Sequence, residues 1–246
     1  MDVAFQSKPF YYKIWGDTAL FTDPISKGGG EKFSYSVPTY QALKGITENL
    51  YWKPTLVIII DEVKIMRPIR TQTNGIRTLI GTGPANSNDR SYYTYLVNVE
   101  YLVKFHFEWN ENRSDLIKDR NEIKHQEIIL RTLRKGGRRD VFLGTRECVG
   151  YVEIVTGNQY DQSKGWYHDE TISFGIMFHS FDYPQENNDN SNQNLESRYA
   201  EILMQDSTIR FIRPEECRIR NILRRYAVKN KQYDKIKTVD EELSEM

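Results

Sequence analysis

The stretch Glu122-Ile123-Lys124-His125-Gln126 sets one of the chain's four histidines directly beside a lysine. Imidazole titrates near neutral pH while an ammonium stays charged, so the pair offers a proton shuttle next to a fixed positive charge. Adjacent side chains on a helix diverge by about 100°, and the pair reads equally as part of a solvated helix surface. Asn121 is a residue type that caps helices. If it does so here, Lys124 and His125 fall in the first turn, where unpaired backbone N–H groups attract phosphate. Tyr51 lies just past a helical apolar stripe, beside Trp52, Lys53 and the helix-stopping Pro54. That position is near a surface, and plain aromatic packing is the other reading.

Glu122 and His125 form a single E-x-x-H, and His106-Phe107-Glu108 places two potential ligands on one strand face. This is the raw material of a metal-dependent nuclease, but polar sheet and helix positions account for it as well. Cys148 and Cys217 show neither metal-ligand spacing nor a disulfide framework, so no zinc site is expected and a reducing compartment fits. No metal or cofactor is expected elsewhere. Gly28-Gly29-Gly30-Glu31-Lys32 and Gly136-Gly137-Arg138-Arg139 join glycines to cations, so backbone amides and side-chain charges can approach phosphate. Neither matches a P-loop or dinucleotide fingerprint. Farther on, Arg218, Arg220, Arg224 and Arg225 surround Ile219, Ile222 and Leu223, the pattern of a basic amphipathic helix for RNA or a partner subunit, or of a solvated face.

The elements that must position these groups follow from periodicity. Phe10 to Phe21 reads as an early strand and turn. Tyr40, Leu43, Ile46 and Leu50 recur at helical spacing between Pro38 and Pro54, and Thr55 to Met66 is a β-branched run that favours a buried strand. Tyr93 to Trp109 alternates with period two, leaving Glu100, Lys104, His106 and Glu108 on a polar face; its seventeen residues predict a bulge or break. Asp115 to Lys135 predicts a second helix with Leu116, Ile123, Leu130 and Leu133 on its inner side and Ile129 at the stripe's edge, stopped by Gly136-Gly137. Val141 to Val155 returns to strand composition. The order strand, helix, strand, strand, helix, strand is that of an α+β chain with an N-terminal ferredoxin-like β-α-β-β-α-β domain. Ile172, Phe174, Ile176 and Phe178 then open a small antiparallel β unit, and Gln185 to Asn194 is a polar low-complexity loop. The expected division is 1–157, 158–214, and a basic helix with charged tail over 215–246.

The 246 residues carry 34 basic and 34 acidic side chains, so any nucleic-acid surface must be local rather than a global field. The N-terminus lacks a basic region followed by an apolar core, and no run approaches eighteen apolar residues, which predicts a cytoplasmic protein. The 16 tyrosines suit a surface that handles nucleobases.

Three long motifs, GGGEKFSYSVPTYQALKGITENLYWKP, DRNEIKHQ and GGRRDVFLGTRECVGYV, occur in this order. Together they resemble the fifth family of CRISPR-associated proteins in its type I-C (Dvulg) form, within the RAMP superfamily, from about Phe10 through Cys217. The resemblance implies an RRM-like, ferredoxin-like domain backed by a smaller antiparallel sheet. It implies a metal-independent endoribonuclease that cuts precursor CRISPR RNA at the base of the repeat stem-loop, then keeps the 5′ handle within an interference (Cascade) complex. By position in the family pattern, the catalytic residues fall on Tyr51, Lys124 and His125. Lys32, Lys53, Arg138 and Arg139 are the accompanying candidates for RNA phosphates. Implied partners are the repeat RNA, the crRNA handle and the backbone and large subunits; duplex DNA is left open. A handle-binding subunit without activity, and a metal nuclease built on His106, Glu108 or Glu122, are the competing readings.

Overall fold

β-branched and aromatic side chains at alternating positions need a pleated surface with one dry face, and most of this chain supplies one. The computed structural model describes residues 5–23, 30–79, 88–183 and 194–226. In chain order the elements are β1 (Phe10–Ala19), β2 (Lys32–Phe33), α1 (Tyr40–Leu50), β3 (Leu56–Ile65), β4 (Thr71–Leu79), β5 (Asn88–Trp109) and α2 (Glu122–Arg134). They continue with β6 (Val141–Phe142), β7 (Val149–Val155), α3 (Gly157–Gln162), β8 (Thr171–Asp182), β9 (Asn194–Gln205), β10 (Thr208–Arg210) and β11 (Ile219–Arg225). The strands form one sheet ordered β11-β9-β10-β3-β5-β1-β7-β6, with β2 and β4 beside β5 and β8 beside β9. Every pairing is antiparallel except β2 with β5. The chain is α+β with few helices.

The first helix forms where the spacing predicts it. Thr39 caps α1 by accepting the Ala42 N–H, and Tyr40, Leu43, Ile46 and Leu50 are all buried. That face lies on β3, while α2 lies on β7. Between helices and sheet sits a core that includes Tyr12, Ile14, Leu43, Ile58, Phe105 and Phe107. Burying each such side chain stabilises the fold by about 1.5–3 kcal/mol.

The irregularity expected in β5 is present, and other expectations are corrected. β5 runs unbroken for 22 residues because it serves two partners in succession, β4 along its first half and β3 along its second. The irregularity falls at Asn98, whose φ of 54° puts a bend between them. Its second face is not simply polar either, since Leu102 and His106 are buried. The predicted second helix is two pieces, a 3-10 turn over Ser114–Asp119 and α2, divided at Arg120 and Asn121. Val141 to Val155 is a hairpin, with a Cys148 N–H to Thr145 carbonyl bond closing its turn.

Arg218 to Arg225 was expected to be helical, yet β11 is a strand paired along β9 with every residue exposed. A segment with no packed face carries no reliable period, and the unpaired backbone of β9 decides its conformation. The remainder of that tail lies outside the described residues, as do Gly28, Gly29 and all of the polar loop before Asn194. The strands beyond residue 158 join the main sheet through β10, which pairs with Glu62–Lys64 of β3, and Met177, Ile202, Met204 and Ile209 share its core. No helix among the described residues is long and apolar enough to cross a membrane.

Candidate active site

α1 stops at Tyr51, which turns to extended dihedrals (φ −153°, ψ 123°) while its N–H still reaches the Thr47 carbonyl at 3.1 Å. The turn swings the ring inward, and Tyr51 is only 4% exposed rather than at the surface. Asn121 caps α2 by accepting the Lys124 N–H at 3.0 Å, so Lys124 and His125 do fall in the first turn. Their divergence then separates them. The Lys124 ammonium stays partly in solvent and pairs with Asp119, whereas His125 is 0% exposed.

The inner face of α2 is His125, Ile129, Thr132 and Leu133, not the stripe drawn through Ile123, which is 73% exposed. A histidine takes an interior position because both ring nitrogens are satisfied. Nδ1 meets the Tyr51 hydroxyl at 2.8 Å and Nε2 meets the Asp119 backbone carbonyl at 2.9 Å. Phe107 and Trp109 close around the ring edge-on, at 6.2 and 5.8 Å between centroids.

These contacts define the tautomer. A carbonyl only accepts, so Nε2 carries the proton and Nδ1 is left with its lone pair; the Tyr51 O–H therefore donates to Nδ1. Burial lowers the His125 pKa, and the charges of Lys124 and Lys53 push the same way against the Asp119 carbonyl. Burial raises the Tyr51 phenol, helped by Asp119 and opposed by Arg138. The product is a neutral imidazole whose basic atom is covered by a tyrosine hydroxyl.

Asp119, the first residue of the DRNEIKHQ motif, ties the site together. Its carboxylate takes the Thr55 hydroxyl at 2.7 Å and the Lys124 ammonium, and lies 3.5 Å from His125 Nε2. The bonds from Lys124 and then Thr55 hold its pKa down to about 2. Neither residue is assigned a role from sequence, since Thr55 merely follows Pro54 and Asp119, although it opens the DRNEIKHQ motif, lies in a stretch that reads as helix.

The phosphate candidates divide. Lys53 and Arg138 act electrostatically on His125 and Tyr51, so both border the site. Gly136 and Gly137 have φ of 75° and 111°, and a Cβ at Gly137 would stand 3.1 Å from Leu50 Cδ2, so glycines let this loop fold against the end of α1. Arg139 enters instead an open cleft of about 790 Å³ with Phe21, Gln41, Asn49, Phe142 and Arg146. Arg146 and the aromatic rings were not singled out from sequence. Lys32 stands over Tyr93 at 4.9 Å. Tyr93 is sixteen positions along β5 from Trp109, roughly 50 Å at strand rise, so Lys32 is not part of this site.

The metal alternative does not assemble. His106 lies between Asp61 at 2.8 Å and Glu108 at 3.4 Å, and Arg213 forks onto Glu108 at 2.7 and 2.9 Å. Burial alone would lower the His106 pKa, but the hydrogen bonds to Asp61 and Glu108 outweigh it and raise it to about 9. Glu122 accepts from Gln126 on the surface of α2. No group of three or more His, Cys, Asp or Glu among the described residues is arranged to hold a metal ion.

A family model described as CRISPR-associated protein (Cas_Cas5), in its Cas5d form, matches residues 11–212. A curated relative from Mannheimia succiniciproducens, named CRISPR pre-crRNA endoribonuclease Cas5d, is 26% identical over 201 residues, 68% of this chain and 87% of that protein. A Thermus thermophilus protein of the same name is 32% identical over 156 residues, 61% of this chain and 65% of its own length. Two crystal structures align closely. One is of a functionally uncharacterized protein of Streptococcus mutans, at 45% identity and a TM-score of 0.75 over 89% of this chain and 100% of that one. The other is titled as a CRISPR-associated protein, at 41% identity and a TM-score of 0.73 over 89% of this chain and 99% of that one.

Proposed function

The chain belongs to the Cas5 family of CRISPR-associated proteins in its Cas5d form, and from that premise we propose that it is an endoribonuclease that cleaves precursor CRISPR RNA within the repeat. It then stays on the 5′ handle inside a cytoplasmic type I-C complex with backbone and large subunits. The observation that carries the reading is the Tyr51–His125 contact: a neutral, correctly tautomerised base joined to a hydroxyl, with the Lys124 ammonium beside it. Two relatives named as pre-crRNA endoribonucleases support the substrate class.

RNA carries its own nucleophile, so cleavage needs proton transfer, charge stabilisation and alignment of the 2′-hydroxyl with the phosphorus. The Tyr51 oxygen takes the 2′-hydroxyl proton as its own passes to His125 Nδ1, which puts the base side of the reaction on this pair; the P–O5′ bond breaks as O2′–P forms, and the departing 5′ oxygen takes its proton from solvent water. Lys124 stabilises the negative charge that builds on the phosphate oxygens. Lys53 and Arg138 hold flanking phosphates, and the cleft with Arg139 takes RNA leading away from the cut. The succession β1-α1-β3-β5-α2-β7, ordered in space as β3-β5-β1-β7, supports a ferredoxin-like domain over 1–157. Residues 158–214 extend it, and 215–246 form a terminal segment.

The test is cleavage of the organism's own repeat stem-loop in excess EDTA. The expected products are a 2′,3′-cyclic phosphate and a 5′-hydroxyl, abolished by a single 2′-deoxy substitution at the cut. A 3′-hydroxyl product overturns the mechanism. The burial of His125 and Tyr51 favours a second reading, a handle-binding subunit without activity; tight RNA binding without cleavage, with or without magnesium, would establish that one instead.

A further inference from the structure

At Asp119 two donors from separate stretches meet one carboxylate, with an imidazole edge beside it. Thr55, immediately before β3, donates to Asp119 Oδ2 at 2.7 Å; Lys124, in the first turn of α2, holds Oδ1; His125 Nε2 lies 3.5 Å from Oδ2. A carboxylate that collects a hydroxyl and an ammonium beside an imidazole edge, whose N–H goes to the Asp119 backbone carbonyl, is bound much as an oxyanion of a phosphodiester would be. It sits against the same groups that the chemistry requires. We propose that the Asp119 carboxylate occupies the place of the scissile phosphate, that Thr55 is a further residue holding that phosphate, and that RNA enters by displacing the turn that bears Asp119. The inference rests on the endoribonuclease reading for the identity of its ligand.

The turn is built to leave. In the 3-10 segment Ser114–Asp119, Asp115, Ile117 and Lys118 are exposed and Leu116 is only half-buried, so no large apolar side chain anchors it. It has no side-chain cap at its start, and beyond its end Arg120 bonds Glu111 and the Asn110 carbonyl. Asp119 ties it to the site through Thr55, Lys124 and His125. Asp119 is 29% exposed at its side chain, so the seat is open to solvent on one side, whereas the Thr55 residue is 2% exposed and cannot follow the turn outward. Release removes the Asp119 carbonyl from Nε2 together with the carboxylate. It thereby uncovers His125 when the phosphate arrives, which accounts for a catalytic imidazole with no exposure in the unliganded chain.

The experiment measures the affinity of the full chain for repeat RNA made uncleavable by a 2′-deoxy nucleotide at the cut, so that binding is read independently of turnover. Asp119→Asn removes the competing charge but keeps the backbone and a side-chain acceptor for Thr55. The proposal expects it to bind roughly five- to tenfold more tightly than wild type, because the competent state is no longer taxed by an internal anion. In a Lys124→Ala background that gain should vanish, since the charge for which the two anions compete is gone. Thr55→Val removes a bond from both competing anions in the wild type, so it is read in an Asp119→Ala background, where only the phosphate can use the hydroxyl and the substitution should weaken binding. Unchanged or weaker binding by Asp119→Asn, or a gain that survives without Lys124, would overturn the proposal and leave Asp119 a support of the histidine. The endoribonuclease reading fails separately, when the wild type binds but never cuts the all-ribose RNA.

Discussion

His106 and His125 are buried on the two sides of one strand. The first belongs to β5 and faces away from Phe105 and Phe107, while the second packs from α2 against Phe107 and Trp109. Their exposures are nearly the same, 3% and 0%, and their electrostatics are opposite. His106 is clasped by Asp61 and Glu108, keeps its proton to about pH 9 and shares Glu108 with Arg213. His125 has a phenol on one nitrogen and a carbonyl on the other, and burial favours its neutral form. Burial therefore says nothing about role until the partners are read. Carboxylates on both sides make an imidazolium that ties strands together, and neutral partners leave an imidazole able to accept a proton.

The largest expected effect sharpens this contrast. His125→Ala should lower the single-turnover cleavage rate by about a thousandfold, within the range of a lost general base. His106→Ala should leave the rate of the folded protein within about threefold and instead cost about 3 kcal/mol in denaturant midpoint, as breaking a buried ion pair does. Comparable rate losses in the two variants would erase the distinction. Tyr51→Phe comes next: if the proton reaches Nδ1 through the phenol, the rate falls about a hundredfold with a stability change of only about 1 kcal/mol. A fully active phenylalanine variant would place His125 in direct contact with RNA.

The smallest effect is pH dependence, and it runs in opposite directions for the two rings. His125 has a folded pKa below its ordinary 6.5, so cleavage should rise with pH through a value under 6.5 and level off near neutrality. Its contribution to stability is lost as pH falls through the same window. His106 is raised from 6.5 to about 9, so its contribution is complete below 6.5 and is lost as pH climbs through 9. Chemical denaturation followed from pH 6 to pH 10 should show that alkaline decline in the wild type and a flatter profile in His106→Ala.

Much of the scaffold was legible because it rests on local pattern. The α1 stripe of Tyr40, Leu43, Ile46 and Leu50 and the Asn121 cap needed only helical spacing and one side-chain acceptor, and both are present. The site was legible in its residue types but not in its burial. Tyr51 and His125 are 74 positions apart, and no periodicity reports that their polar atoms meet in the interior. The inner face of α2 was misplaced for the same reason: a stripe drawn through apolar residues passes over a histidine whose partners come from other elements. The pairing of Thr55 with Asp119 was not legible, although Asp119 opens the DRNEIKHQ motif, because it depends on a 3-10 turn that composition renders as helix. The closing strand failed differently, since an exposed Arg-Ile segment has no packed side from which to read a period.

That last strand also bears on how the molecule behaves at high concentration. Among the described residues β11 ends the sheet, and a strand edge with free backbone groups is a template on which a second copy can add. Here the edge is edged in turn by guanidinium groups, from Arg218, Arg220, Arg224 and Arg225. Two copies approaching edge to edge would bring like charges together, so the arginines act as gatekeepers of colloidal stability. Salt, by screening that repulsion, is the condition under which self-association at this edge should first be seen.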